Sequence, residues 1–527
     1  MAAFLPFLIC LTLDLRPVAP ASYELKDPVS GIPVKVVVDG FAIARTETTQ
    51  REYESVMGRN PARHVGADLP VENVTWREAI AFANALSAKE ALRPCYELMN
   101  GTRQAGCDGY RLPTEAEWML AAGEAKGALG IASTKETAGL AGRETLPVSP
   151  EMHGNVWEWC EDWFAAERSP WPVRNPRGPL RGRERVIRGG SVVSTTGTWA
   201  RQYRSGMDPE KRSGRTGFRL CRSGAPPASS GTPLPAAARK VAPAHWLDAL
   251  GRTSMTPMPP ETRLLRDIEE TRFTARLMEL RTEPDAWEQI LVVYPEAALR
   301  EPRPVLIVPY YDVDTPIGLD LGGRNFQPLG VRSYAYLAAQ QGWIAVAVRW
   351  FGESYGERYD EAVANLHARH PEWSGLGKWI WDAQRVVDWI ETQPEMDSQR
   401  IAMMGHSLGG KMTLYAMAFD PRIRIGVASE PGISLKFSNY EDYWYLGERI
   451  RRLPAGVDQH ELLRMIAPRP FHLIAGEDSD GEKSRAVLDA AREPGWDLAF
   501  TNHRAGHTPT PASIGTAFEW LGRYLNR

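Results

Sequence analysis

Gly405-His406-Ser407-Leu408-Gly409-Gly410 stands between an apolar run, Ile401–Met404, and a helix-like stretch, Lys411–Phe419. The first five residues fit G-x-S-x-G, a pattern common by chance, but the strand before and the helix after give it a mechanical reading. The serine occupies a sharp strand-to-helix turn, and glycines two residues to either side let helix and strand approach closely. Such a turn points Oγ out of the sheet and sets the Leu408 amide at a helix N-terminus, ready to stabilise an oxyanion. The plain alternative is a glycine-rich turn without chemistry, and the surrounding sequence has to decide between the two.

Outward from this turn, Val305–Tyr310, Trp343–Trp350, Ile401–Gly405, Ile425–Ser429 and Phe471–Gly476 are short apolar runs bounded by turn residues. Between them lie stretches of helical spacing, such as Gly377–Gln393, where Trp381, Val386, Trp389 and Ile390 recur toward one face. Continuous apolar strands alternating with amphipathic helices predict an α/β domain with a mostly parallel sheet covered on both faces.

A serine hydroxyl becomes a nucleophile when a histidine takes its proton and an acid orients that histidine. The chain order expected here is Ser, acid, His. His507, in Asn502-His503-Arg504-Ala505-Gly506-His507, precedes a closing helix over Ala512–Leu525 and is the candidate base, with His503 as competitor. Gly506 lets the loop bend back toward the serine. For the acid, Asp480 in Glu477-Asp478-Ser479-Asp480 is the first choice and Asp478 its neighbouring alternative, while Glu430 in Ser429-Glu430-Pro431-Gly432 competes from the end of the preceding strand.

With GHSLGGK, the SEPG segment, Ile466–Pro470 and NHRAGH in place, the chain from about Val241 onward resembles α/β-hydrolases of the dienelactone hydrolase and acetyl xylan esterase kind. More distantly it is similar to glucuronoyl esterases, through Gly410-Lys411 and Glu430. It departs from them where His406 and Leu408 replace their Cys and Arg beside the serine. The resemblance implies ester hydrolysis through an acyl-serine intermediate, without a cofactor. Ser407 is then the nucleophile, His507 the base, Asp480 or Glu430 the acid, and Leu408 with Tyr311 or Tyr310 the oxyanion donors. Tyr310, Tyr311, Trp350 and Trp444 are candidate pocket aromatics. Acyl and alcohol choice depends on loops over 312–330 and 436–449; the family likeness implies a small-molecule or polysaccharide ester as substrate, acetyl or feruloyl esters being the plant-polysaccharide type.

Upstream, residues 224–241 read GAPPASSGTPLPAAARKV, a linker without apolar periodicity. It separates the hydrolase, 242–527, from a Trp- and Gly-rich half, 22–223. That half carries Gly109-Tyr110-Arg111-Leu112-Pro113-Thr114-Glu115-Ala116-Glu117-Trp118, Met152-His153-Gly154-Asn155-Val156-Trp157-Glu158-Trp159, Arg188-Gly189-Gly190-Ser191 and Gly217-Phe218-Arg219-Leu220. These motifs resemble the formylglycine-generating enzyme (sulfatase-modifying factor) family, which implies an irregular, loop-rich α+β fold of C-type-lectin-like arrangement. Active members bind copper through two cysteines, a soft-ligand site. The corresponding positions here fall on Ser194 and Trp199, so no formylglycine-generating activity is expected. The resemblance also implies a structural calcium held by the carbonyls of Gly154 and Val156 and the side chain of Glu158. The alternative for Glu158 is a salt bridge. Binding of a glycan, a protein or the hydrolase domain is the role left to this half.

The bulk numbers agree with this division. A chain of 527 residues exceeds what one core usually holds. A net charge of −3 with 24% charged residues offers no cationic surface for nucleic acid, and no segment beyond the N-terminus is apolar enough to span a membrane. Ala2–Leu13 followed by Ala19-Pro20-Ala21 reads as a signal peptide over 1–21, hence a secreted or periplasmic protein, although Lys and Arg are missing near Met1. Cys10 lies in that segment; Cys95, Cys107, Cys160 and Cys221 remain, and Cys95–Cys107 closes the shortest loop. Three functions compete: a secreted serine esterase with a degenerate formylglycine-enzyme-like module, a binding or scaffold protein whose hydrolase has decayed, and an oxidase with unfamiliar ligands.

Overall fold

The computed structural model describes residues 13–26, 33–104, 106–124, 152, 154–165, 173–179, 181–191, 194, 204–223, 232–236, 240–251, 255–270, 273–295, 301–324 and 326–526. The chain divides into two compact units, Met1–Ala228 and Ser229–Arg527.

The first unit is an irregular α+β fold of short strands. One sheet joins Leu15–Val18, Phe41–Ala44, Cys221–Ser223 and Tyr110–Arg111; another joins Ser205–Met207, Arg185–Arg188, Trp157–Trp163 and Thr216–Gly217. Helices Gln50–Met57 and Trp76–Lys89 each start with a reciprocal cap, Thr49 with Glu52 and Thr75 with Glu78, which satisfies two otherwise orphaned amides apiece. The second helix buries Trp76, Ile80 and Phe82 against Tyr53, Trp159 and Phe218. Arg185 lies over the rings of Trp76 and Trp163, at 3.7 and 3.5 Å from their centroids. Cys95 and Cys107 form a disulfide, while Cys160 and Cys221 are buried thiols.

Of the segment read as a signal over 1–21, residues 1–12 lie outside the described residues. Leu15–Val18 pairs antiparallel with Phe41–Ala44, and Val18 is 2% exposed in the core beside Phe41 and Ile43.

The second unit is built on one nine-stranded sheet: β1 (Thr262–Glu269), β2 (Thr274–Glu283), β3 (Ala286–Tyr294), β4 (Arg303–Tyr310), β5 (Ile344–Arg349), β6 (Met396–His406), β7 (Ile425–Ser429), β8 (Phe471–Ala475) and β9 (Leu498–Asn502), in spatial order β1-β2-β3-β5-β4-β6-β7-β8-β9. The pairings from β5 to β9 are parallel, and those from β1 through β3 to β5 antiparallel. The five apolar runs are β4 to β8, buried along nearly their whole length. Helix Gly375–Ile390 buries Trp381, Val386, Trp389 and Ile390, the face that its spacing marks. Part of the proline-rich segment is held on this unit: Thr232 N donates to Arg523 O (3.1 Å), Arg424 Nη2 to Pro235 O (2.7 Å) and Lys240 Nζ to Arg464 O (2.6 Å). Among the described residues, no helix is long and apolar enough to cross a membrane.

Candidate active site

β6 ends in the turn that carries Ser407. Its backbone lies at φ 54°, ψ −112°, a sparsely populated region for a residue with a side chain and a form of strain that clusters at functional sites. The flanking glycines make the turn possible. A Cβ on Gly405 would stand 2.2 Å from Gly409 O, and one on Gly409 would stand 2.2 Å from Pro309 O. Helix Leu408–Phe419 begins immediately, so the Leu408 amide belongs to the first turn, whose N–H groups have no acceptor within the helix.

His507 Nε2 lies 2.8 Å from Ser407 Oγ. The loop that follows β9 carries the imidazole back to the elbow, as the position of Gly506 predicts. Burial first, and then the positive charges of Arg332 and Lys411, push the His507 pKa below its ordinary value. The ring is therefore neutral at pH 7, with Nε2 able to accept a proton.

The acid differs from expectation. Nδ1 of His507 meets the hydroxyl of Ser479, at 3.2 Å, and neither Asp480 nor Glu430 is hydrogen-bonded to this imidazole. Asp480 is fully buried and accepts the amides of Gly432 (2.8 Å) and Ile433 (2.6 Å) and the hydroxyl of Ser484 (3.1 Å). It tethers the loop after β7. It also lies 3.4 Å from Ser479 Oγ, so a carboxylate stands one hydroxyl away from His507. Asp478 faces Gly506, where a Cβ would come within 2.6 Å of its Oδ2.

Glu430, at a positive φ of 44°, turns the other way. Its Oε2 meets His406 Nδ1 at 3.0 Å and also takes the Ser429 hydroxyl, while Oε1 meets His503 Nε2. Burial pushes the Glu430 carboxyl up to about 8 and the His406 imidazole well down, so both are held in their neutral forms. The competing histidine, His503, thus belongs to this buried group behind the elbow. The His406 and His507 rings are 5.1 Å apart at their centroids.

Tyr311, the residue after β4, is the predicted aromatic beside the nucleophile: burial raises its phenol and a hydrogen bond with Ser407 lowers it. Tyr310 and Trp350 are core residues at 5% and 2% exposure. Trp444 is only partly buried, packed between Tyr359 and the exposed Tyr443 with centroids at 5.8 and 4.6 Å. Lys411 Nζ is buried on Pro431 O (2.5 Å) and Ser438 Oγ (3.0 Å), above Tyr440 and Tyr445. Sequence reasoning missed Ser479, although it sits within the quoted acidic turn, and Arg332, whose loop offers no motif.

In the first unit, the calcium ligands expected from family resemblance do not fit an ion. Glu158 is buried and forms a bidentate pair with Arg219, at 2.6 and 2.7 Å, while its Oε2 also accepts Trp118 Nε1 at 2.8 Å. Both oxygens are committed, so no carboxylate joins Gly154 and Val156, and no cluster of three His, Cys, Asp or Glu suited to a metal occurs among the described residues. Ser194 Oγ accepts the Ser191 amide at 2.9 Å. Trp199 lies outside the described residues.

Comparison with known proteins agrees with this division. The sulfatase-modifying factor enzyme 1-like domain family matches residues 31–137 and 149–224, and the fungal glucuronyl esterase family matches residues 344–437. The chaperone protein LppX of Paenibacillus barcinonensis is 29% identical over 239 residues, covering 36% of this chain and 82% of that relative. The 4-O-methyl-glucuronoyl methylesterase 1 of Wolfiporia cocos is 29% identical over 137 residues, 21% of this chain and 33% of that enzyme. The chain thus spans about a third of that enzyme's length. A glucuronoyl esterase structure from Solibacter usitatus aligns at a TM-score of 0.43 with 15% identity, over 53% of this chain and 88% of that one. The second unit is a serine ester hydrolase of the α/β-hydrolase type. More particularly, the chain joins a sulfatase-modifying factor enzyme 1-like domain to a hydrolase unit whose Ser407 and Glu430 fall within the glucuronyl esterase match.

Proposed function

We propose that the second unit hydrolyses carboxylic esters of carbohydrate, of the acetyl, feruloyl or glucuronoyl type, through an acyl-serine intermediate. The observation that carries this reading is the 2.8 Å contact of His507 Nε2 with Ser407 Oγ at a strained elbow. Ser407 Oγ attacks the ester carbonyl and its proton passes to Nε2. The tetrahedral oxyanion rests on the Leu408 amide, with Tyr311 as second donor. It collapses with cleavage of the bond to the alcohol, which leaves with the proton from His507. Water then attacks the acyl-serine, gives its proton to Nε2, and releases the acid with Ser407 restored. Hydrolysis of p-nitrophenyl acetate, an acetylated xylan and methyl glucuronate by the purified chain tests the reading and ranks the acyl groups; no turnover of any of them contradicts it.

Ser479 is the residue we assign to orient the base, with Asp480 behind it. Nδ1–H donates to Ser479 Oγ, and the hydroxyl hydrogen points to Asp480, which holds the imidazole tautomer and steadies the imidazolium. Ser479→Ala is expected to lower kcat about tenfold with KM little changed, and Asp480→Asn roughly 10²-fold, because it also loosens the Gly432–Ile433 loop. Steady-state kinetics checks both. Wild-type kcat in Ser479→Ala removes the hydroxyl from the mechanism.

The pH profile has a definite sign. The imidazolium of His507 is disfavoured by burial and by nearby positive charge, so the acid limb of kcat/KM lies below pH 6.5, the ordinary histidine value. Arg332→Gln removes one of those charges, raises the His507 pKa, and moves the limb toward pH 6.5. A limb that stays in place counts against the electrostatic coupling.

For the first unit we propose a binding role. The copper thiols of the resembling oxidases are replaced, and the LppX relative is named a chaperone. Copper-dependent oxidation of a cysteine-containing sulfatase peptide by this chain is the result that overturns it. An exported location fits a polysaccharide ester and the Cys95–Cys107 disulfide, and cell fractionation tests it.

A further inference from the structure

Arg332 stands beside His507 without a carboxylate partner among the described residues. It ends the loop that follows β4, just before helix Tyr334–Gln340. Its Nη2 donates to Thr508 Oγ1 at 3.0 Å, on the residue next to His507. No carboxylate of a described residue pairs with it, and its Nε is buried with no hydrogen-bond partner. Two other arginines of this unit show how such a group is fully matched. Arg422 pairs with Asp388, Glu391 and Asp420, and the buried Arg469 donates to the carbonyls of Met417, Asp420, Ile423 and Ile466.

The position of the guanidinium, which also hydrogen-bonds the Tyr310 side chain, matters as much as its lack of a carboxylate partner. Its charge reaches His507, His406, Glu430, Tyr310 and Tyr311, groups that surround Ser407. The residues on either side of Ser407 supply no cation, since His406 is held neutral and Leu408 is apolar, and Lys411 Nζ is turned to Pro431 O and Ser438 Oγ. A guanidinium offers five donors in a planar fork, and a buried donor such as the Arg332 Nε–H is left unfavourably without an acceptor until one arrives. Carboxylate is the acceptor that its fork fits. Ester hydrolysis creates such a group here: when water opens the acyl-serine, it adds from the His507 side, and the new carboxylate oxygen faces that imidazole and its neighbour Arg332.

We propose that Arg332 is the anion-binding residue of this cleft and holds the carboxylate released by hydrolysis, so that the protein binds its acid product. The inference rests on the esterase reading above and names the ligand class of the same site. Two acids share this chemistry, acetate from acetyl esters and a sugar acid from uronyl esters.

Titration calorimetry of the full chain with acetate against acetamide, and with D-glucuronate against D-glucose, separates charge from shape and one acid from the other. Wild type and Ser407→Ala are expected to bind at least one anion about tenfold tighter than its neutral counterpart. Arg332→Gln brings that ratio near one, and Arg332→Lys keeps most of it. The tighter anion identifies the acyl class. Equal binding of anion and neutral compound by wild type, or a preference that survives in a folded Arg332→Gln, overturns the proposal. Circular dichroism establishes folding of each variant. Hydrolysis of p-nitrophenyl acetate, measured alongside, reports on the esterase reading alone: anion preference without turnover refutes that reading and leaves the anion site standing.

Discussion

Ser407→Ala abolishes ester hydrolysis by this protein, with a fall in kcat of at least about 10³-fold. The elbow makes the expectation specific. The side chain is held at a positive φ and bonded to His507 Nε2, and alanine removes the attacking oxygen while leaving the turn's glycines and the packing of helix Leu408–Phe419 in place. The variant therefore folds, and its circular dichroism matches wild type. His507→Gln removes the base with a similar loss, and the double variant is no worse than either single one, because nucleophile and base act as a unit. Steady-state rates on p-nitrophenyl acetate check all three. Retention of more than a tenth of wild-type kcat in Ser407→Ala means another residue attacks the ester.

The second large effect lies in the other unit. Glu158→Gln leaves Arg219 charged, 1% exposed, and without its bidentate partner. Breaking a buried pair by removing one side is far more damaging than never having had the pair, because the remaining charge stays desolvated. A loss of about 3–5 kcal/mol is expected, read from urea denaturation followed by tryptophan fluorescence. The same measurement addresses calcium. With both Glu158 oxygens committed, EDTA is expected to leave the wild-type transition unchanged. A calcium-dependent gain in stability that vanishes in Glu158→Gln contradicts the assignment of this carboxylate to Arg219.

Much of the hydrolase was readable because its signals are local. Apolar runs mark β4 to β8, and the glycines at 405 and 409 mark a turn in which a Cβ at either position would meet backbone within 2.2 Å. The position of His507 follows from chain order. The antiparallel strands β1 to β3 were not readable in the same way: β1 is largely exposed and dominated by charged residues, so it lacks the apolar run that announces a buried strand. The partner of His507 was hidden for another reason. Asp480 and Glu430 both stand at strand ends, and nothing in their spacing tells which loop amides, hydroxyls or imidazoles will claim their oxygens. In the fold Asp480 takes the Gly432 and Ile433 amides, Glu430 takes His406 and His503, and Ser479 is left facing Nδ1. Glu158 and Arg219 meet only because distant segments fold together. The N-terminal apolar stretch lies almost wholly outside the described residues, and Leu15–Val18 behind it forms a strand that its short sequence does not announce.

The account stands on Ser407 being the nucleophile that His507 activates. Its most direct test is covalent trapping: wild type and His507→Gln are treated with a fluorophosphonate, and the labelled peptide is identified by mass spectrometry. Stoichiometric labelling of Ser407 in wild type, with parallel loss of esterase activity and little labelling of His507→Gln, is the predicted result. Full activity after treatment with Ser407 unmodified, or a label on a different residue that tracks the loss of activity, contradicts it.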